Sequence, residues 1–267
     1  MSLPRSLDHD VAGKRMTDFV SAFEEASRGF HWSEACFVHL HIPRTAGTSF
    51  RQAVTRHLLQ RYPPEQMYLL ECGPEYNCRN GTFAEFAALS PDERSQIRFV
   101  AGHVPPSIVP LLPHPITFTI LRDPVERAIS HYWYTYFDRT SGLHEVARRV
   151  SLTEFISSGL GHSSNGQARY LSEAFFTGEQ MSDERLLESA RAALARVTYS
   201  CALEQADDLL SGICTVAGVD RAEKLPRLNE APRLREPTPD ELAIIAEHNR
   251  VDSELYATVL QSRRPVS

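Results

Sequence analysis

The chain has 267 residues, 42% of them hydrophobic, and a formal net charge of -6 at pH 7. That is enough apolar material for one substantial core. The acidic balance argues against a broad nucleic-acid surface, which needs clustered Lys and Arg, but it leaves room for a local basic pocket.

The first residues, MSLPRSLDHDVAGKRMTDFV, contain no apolar run of signal-peptide length. No later stretch approaches the ~20 apolar residues of a membrane helix, so a soluble, cytoplasmic protein without a membrane span is expected. The five cysteines are an odd number and fit reduced thiols better than a disulfide framework. Cys72 and Cys78, in ECGPEYNCRN, are close enough in sequence to pair, although two free thiols are the simpler reading. No zinc-type Cys or His spacing occurs, and no metal is expected. No internal repeat and no Gly/Ser- or Pro-rich linker marks a boundary. Residues 1–34 are therefore read as an N-terminal extension and 35–267 as one domain.

Along the chain, residues 36–42, 67–71, 97–101, 116–121 and 197–202 are short β-rich runs, apolar nearly throughout and not alternating. Strands covered on both faces of a parallel sheet read this way. Helical segments are expected at 49–60, 125–137, 184–196 and 239–261. This order predicts a three-layer α/β fold with a mostly parallel central sheet flanked by helices and ligand sites at the carboxyl ends of the strands. Two helix starts carry explicit signals. Asp123, Pro124 and Glu126 form one set, and Thr238, Pro239 and Glu241 the other, each reading as a cap, a first-turn proline and a capping-box acid.

The stretch FVHLHIPRTAGTSF ends its strand at Pro43 and continues with Arg44, Thr45, Ala46, Gly47, Thr48 and Ser49. Small and hydroxyl residues just ahead of a helix aim backbone N–H groups and a positive helix end at one point, which suits an anion. The ATP-type loop G-x-x-x-x-G-K-[ST] is absent, and a plain strand, turn and helix cap is an equally good account of this stretch alone. In FTILRDPVERAISHYWY, Arg122 ends another strand and Ser130 follows about two turns into the next helix. A phosphate beside those turns could be met from both sides. Arg127 is open to two roles, a phosphate contact or an i,i+4 pair with Asp123. The aromatic run HYWYTYF reads as a helix face packed on the sheet. His103, in IRFVAGHVPP, follows a buried strand, and an imidazole titrates near operating pH. His39 reads as a core histidine and His41 as a residue shaping the loop.

Together these stretches resemble the two signature motifs of the sulfotransferases that use 3′-phosphoadenosine 5′-phosphosulfate (PAPS), particularly the heparan sulfate 2-O-sulfotransferase branch. In that family P-K-T-[AG]-[GS]-T-S cradles the 5′-phosphosulfate and R-D-P-x-x-R-x-x-S binds the 3′-phosphate. NGQARYL (residues 165–171) and the C-terminal LNEAPR…ELAIIAEHNRVDSELY are also family-like. The resemblance implies a P-loop-like nucleotide-binding sulfotransferase fold, PAPS as sulfate donor and no metal requirement. It places Arg44, Thr45, Ala46, Gly47, Thr48 and Ser49 around the 5′ end, Arg122 and Ser130 at the 3′-phosphate, and Arg233 closing over that phosphate. It further implies His103 as general base and Asn165, Gln167 and Arg169 toward an acceptor hydroxyl, expected on a glycan. Arg44 is a departure, since the family usually has Lys there. The alternatives are an ATP-dependent small-molecule kinase with an atypical phosphate loop and a nucleotide-binding module without catalysis.

Overall fold

A computed structural model of the chain describes residues 18–71, 75–221, 224–225 and 231–261. Among them, six strands form an all-parallel sheet in the order β3-β2-β4-β1-β5-β6, flanked by helices. The strands are β1 (Cys36–Leu40), β2 (Met67–Leu70), β3 (Arg79–Gly81), β4 (Phe99–Gly102), β5 (Pro115–Leu121) and β6 (Tyr199–Ala202). Every residue of β1, β2 and β4 is buried, as is all of β5 after Pro115. Burial on both faces is why these runs are continuously apolar. The strand missing from the expectation is β3. Its three residues, RNG, are polar and lie at the sheet edge, where no hydrophobic pattern is needed.

The helices Gly47–Leu58, Pro124–Phe137 and Asp183–Leu194 fall where periodicity puts them, within two residues. The single helix expected over 239–261 is two, Pro239–His248 and Arg250–Gln261. Asn249 breaks it with φ -119 and ψ 27. Its buried side chain donates to the Ile245 carbonyl at 2.9 Å and accepts from the Asn165 N–H at 3.0 Å. Such side-chain bonds compete with the helix ladder.

Of the two expected caps, Thr238 and Glu241 form the complete box. Asp123 accepts from the Glu126 N–H at 3.0 Å, but the return bond is not made. The Glu126 carboxylate is drawn instead to Arg122 and Arg233.

The chain sorts into two compact units. The first comprises Met1–His41, Thr48–Thr119 and Val197–Pro226, the second Ile42–Gly47, Ile120–Arg196 and Arg227–Ser267. The first holds strands β1–β4 and β6 and most of β5. The second is helical, and its core gathers Ala128, Ile129, Tyr132 and Trp133 with Leu152, Phe155, Ile156 and Ile245. The aromatic run of helix Pro124–Phe137 packs against these neighbouring helices. Cys36, Cys78, Cys201 and Cys214 are buried thiols, and Cys72, read as a possible partner of Cys78, lies outside the described residues. No described helix is long and apolar enough to cross a membrane.

The end of β4 depends on one glycine. Gly102 has φ +132, and a Cβ there would stand 1.9 Å from the Leu70 carbonyl oxygen. Because Gly102 is in register with both Leu40 and Leu70, the neighbouring strands hold it in place. Gly102→Ala should therefore destabilise the protein by about 2–4 kcal/mol, combining a positive-φ penalty with overpacking in the sheet. Denaturant unfolding measures this, and a variant as stable as the parent would contradict the close approach.

Candidate functional site

In the second unit, the turn between Ile42 and Gly47 puts two non-glycine residues in the left-handed region, Arg44 at φ 71 and Ala46 at φ 60. Each such residue costs on the order of 1–2 kcal/mol, so surrounding contacts must hold them. The buried Thr45 hydroxyl donates to the Ile42 carbonyl at 2.9 Å, so its side chain braces the turn from inside. Arg44 itself is gripped by helix Pro124–Phe137. Its Nε and Nη2 donate to Ser130 Oγ at 3.2 and 3.1 Å, and its Cζ lies 4.2 Å from the centroid of the Tyr134 ring. Ser130 and Tyr134 are one helical turn apart and share a face, which is why one guanidinium meets both.

Arg122 closes this arrangement from the other side. Its Nη1 donates to the Arg44 carbonyl at 3.3 Å. The two motif stretches are thus in direct contact, through Arg44 with Ser130 and through Arg122 with Arg44. Burial pulls the Arg44 guanidinium down to about 10; Tyr134 opposes that shift while Arg122 and Arg127 add to it. It remains a cation at neutral pH. Converging cations in a partly buried setting give the positive potential an anion seeks. Thr48 and Ser49 open helix Gly47–Leu58 in the first unit, with Ser49 buried.

Arg233 donates to Glu126 Oε2 at 2.5 Å and to Glu236 at 3.3 Å, and Arg122 also reaches Glu126 Oε2 at 3.5 Å. Arg44, Arg122, Ser130, Glu126 and Arg233 are therefore linked contact by contact.

In the NGQARYL segment, Asn165 and Gln167 face inward and not toward an acceptor as expected. Gln167 is fully buried. Its amide accepts from the Arg122 N–H and donates to the Arg122 carbonyl, both at 2.9 Å, pairing with that residue as a neighbouring strand would. Asn165, also buried, accepts from the Asp252 N–H at 3.2 Å. Both side chains are engaged by protein groups, which positions Arg122 and the start of helix Gly166–Leu171. Arg169 is half-buried on that helix.

Arg127 pairs with Asp252 and not with Asp123. At 2% exposure it donates to the His162 and Ser163 carbonyls, each at 3.1 Å, and its Nε lies 3.8 Å from Asp252. Asp252 in turn accepts from the Gln167 and Ala168 N–H groups at 3.0 and 2.7 Å. Gly166 makes room for the guanidinium, since a Cβ there would meet its nitrogens at 2.7 Å.

In the first unit, parallel pairing of β1 and β4 with Leu40 opposite Gly102 brings the next residues of each strand side by side. His41 and His103 stack with ring centroids 4.5 Å apart. His103 Nδ1 is 3.2 Å from the His41 carbonyl. A carbonyl only accepts, so the neutral ring carries its proton on Nδ1 and presents a lone pair on Nε2. Burial holds the His103 pKa below the ordinary value, with the His41 bond opposing and the Arg51 charge adding to the depression. The imidazole is thus kept neutral, with Nε2 unprotonated.

Arg51, which the sequence reading did not single out, is buried on helix Gly47–Leu58 and forms a two-point pair with Glu75 at 2.5 and 3.0 Å. Its signal was an arginine on the same helix face as Val54 and Leu58, both fully buried. His39 is fully buried with both ring nitrogens lacking a hydrogen-bond partner. It stacks on His41 and Phe118 at 5.5 Å each and meets Phe50 edge-on at 5.1 Å.

No protein-family model matches this chain, and no curated protein sequence matches it.

His39 supplies a direct check on this packing. Burial first, then the charges of Arg51 and His103, depress its pKa to about 3. A group depressed on folding binds its proton more readily when unfolded. Its contribution is therefore intact above the ordinary histidine pKa near ~6.5 and is lost as pH falls toward the folded value, at up to about 1.4 kcal/mol per pH unit. His39→Phe removes that term and fills the same aromatic slot. Its stability relative to the parent should rise by roughly 2 kcal/mol between about pH 6.5 and pH 5. Parallel stability curves for the two proteins across that range would contradict a neutral, buried His39.

Proposed function

We propose that the protein is a sulfotransferase that moves a sulfuryl group from PAPS to an acceptor hydroxyl carried by a carbohydrate. The proposal takes residues 35–267 as one domain of the three-layer, P-loop-like nucleotide-binding type. One observation carries it: Arg44, from the strand–loop–helix stretch, hydrogen-bonds Ser130, from the R-D-P-x-x-R-x-x-S stretch, within a cluster that includes Arg122. Two segments that resemble the two halves of one cofactor site are in contact, and the contact is built around cations.

When bound, PAPS supplies an activated sulfuryl group on a phosphate leaving group. The residues have separate tasks. The turn through Arg44–Gly47, together with Thr48 and Ser49 at the positive end of a 12-residue helix, receives the 5′-phosphosulfate. The Arg44 guanidinium, fixed by Ser130 and Tyr134, neutralises charge that develops on the departing phosphate, and a preorganised cation does this without reorganisation. Arg122, Ser130 and Arg233 hold the 3′-phosphate, with the Arg122 backbone clamped by Gln167. Sulfuryl transfer resembles phosphoryl transfer in needing mainly alignment and charge neutralisation. His103 Nε2 takes the acceptor's proton. With Nδ1–H committed to the His41 carbonyl, the lone pair is on the nitrogen that is left. Arg44 can serve where the family has Lys because its planar fork is held by a hydroxyl and an aromatic face, which a point-charge ammonium would use less well.

Transfer of labelled sulfate from PAPS into a panel of polysaccharides and oligosaccharides tests the reading. His103→Ala should lower turnover by roughly 10²- to 10⁴-fold while leaving affinity for 3′-phosphoadenosine 5′-phosphate (PAP) nearly unchanged. Because burial depresses the His103 pKa, the parent's rate should hold its plateau at neutral pH and fall only as acid titrates a group below ~6.5. A folded His103→Ala protein that keeps most of its transfer rate would remove His103 as the base. Magnesium-dependent ATP turnover without sulfate transfer would replace the reading with a kinase.

A further inference from the structure

Glu126 has no task in the mechanism above, yet it touches both arginines assigned to the 3′-phosphate. Its Oε2 lies 2.5 Å from Arg233 Nη2 and 3.5 Å from Arg122 Nη2. Its backbone N–H is capped by Asp123, so its side chain is released from the capping box and turned toward the guanidiniums. The Glu126 side chain is 44% exposed, against 21% for Arg122 and 27% for Arg233. The carboxylate can therefore swing into water at little cost, whereas the arginines are held: Arg122 by Gln167 and the Arg44 carbonyl, Arg233 also by Glu236.

We infer that Glu126 is a resident counter-ion for Arg122 and Arg233, exchanged for the phosphate of an incoming ligand, and so sets which anions the site accepts. The inference rests on the proposed cofactor site. Arg122, Arg233 and the adjoining Arg44 face the two carboxylates of Glu126 and Glu236, which leaves one positive charge in excess to draw an anion in. A phosphate near a dianion satisfies both arginines only when the carboxylate withdraws, because like charges crowded onto the same donors repel. A singly charged or non-phosphorylated group gains too little from the arginines to displace Glu126. Without a ligand, the carboxylate keeps the two cations from repelling each other and keeps the segment around Arg233 docked.

The test compares the parent with Glu126→Gln, which preserves the N–H that Asp123 caps and nearly the same shape, and with Glu126→Ala as a second way of removing the charge. Titration calorimetry is run with PAP, adenosine 5′-phosphate and inorganic phosphate. Removing the competing carboxylate should tighten PAP by about 3- to 10-fold and tighten inorganic phosphate in the same sense, the size expected for part-exposed ion pairs. Adenosine 5′-phosphate, which lacks the 3′ group, should change far less. Unchanged or weaker binding of both PAP and inorganic phosphate by folded variants overturns the inference. PAP bound equally by parent and variants would reject the exchange while leaving the sulfotransferase reading in place. If PAP binds neither protein but inorganic phosphate binds the variants more tightly, the exchange stands and the sulfotransferase reading falls.

Discussion

Much of this structure follows from holding a partly buried guanidinium in a strained turn. Arg44 adopts a left-handed backbone conformation that an L-residue avoids, and its side chain gives up hydration as it goes inward. Neither cost is tolerable unless other groups replace water. Ser130 supplies an acceptor, Tyr134 an aromatic face, and the loop's own Thr45 a brace to Ile42. An arginine held this way keeps its positive charge at neutral pH, and backbone strain of this kind clusters at functional sites.

Support for that cation extends outward in layers. Arg122 donates to the Arg44 carbonyl, Gln167 clamps the Arg122 backbone on both its polar groups, and Asp252 fixes the N–H groups of Gln167 and Ala168. Arg127 balances Asp252 and satisfies two carbonyls. A buried ion pair is a poor source of net stability, because desolvation offsets much of the attraction. Here its effect is positional: removing any member would leave a buried charge or backbone group unpaired. The bare glycine at position 166 belongs to the same design, since only there can the guanidinium approach the start of helix Gly166–Leu171.

Much of this was legible in the sequence. Continuous apolar runs gave the strands of a parallel sheet, because burial on both faces leaves no polar alternation to hide them. The cap Asp123 and the proline after it located helix Pro124–Phe137 within a residue, and the two motif stretches that follow strand ends are in contact through Arg44. What remained hidden depended on partners far away in the chain. Nothing local in RNG marks an edge strand. Asn249 looks like an ordinary helix residue until Asn165 meets it. Gln167 and Asn165 look like exposed polar residues, and only tertiary packing shows them facing inward. Glu126 fits the capping pattern, and its diversion to Arg122 and Arg233 required those side chains to be in place. His103 was readable as a candidate base, but the proton's location on Nδ1 followed only once the His41 carbonyl was seen beside it.

The central claim is that the cation cluster around Arg44 and Arg122 receives a nucleotide bearing a 3′-phosphate. Isothermal titration of the parent and of Arg122→Ala with PAP and with adenosine 5′-phosphate tests it most directly. The account predicts that the parent prefers PAP and that the substitution removes about 10- to 100-fold of affinity for PAP while leaving adenosine 5′-phosphate nearly unaffected, as loss of charge-assisted hydrogen bonds would. Equal losses for the two ligands, or a parent that does not distinguish them, would contradict it.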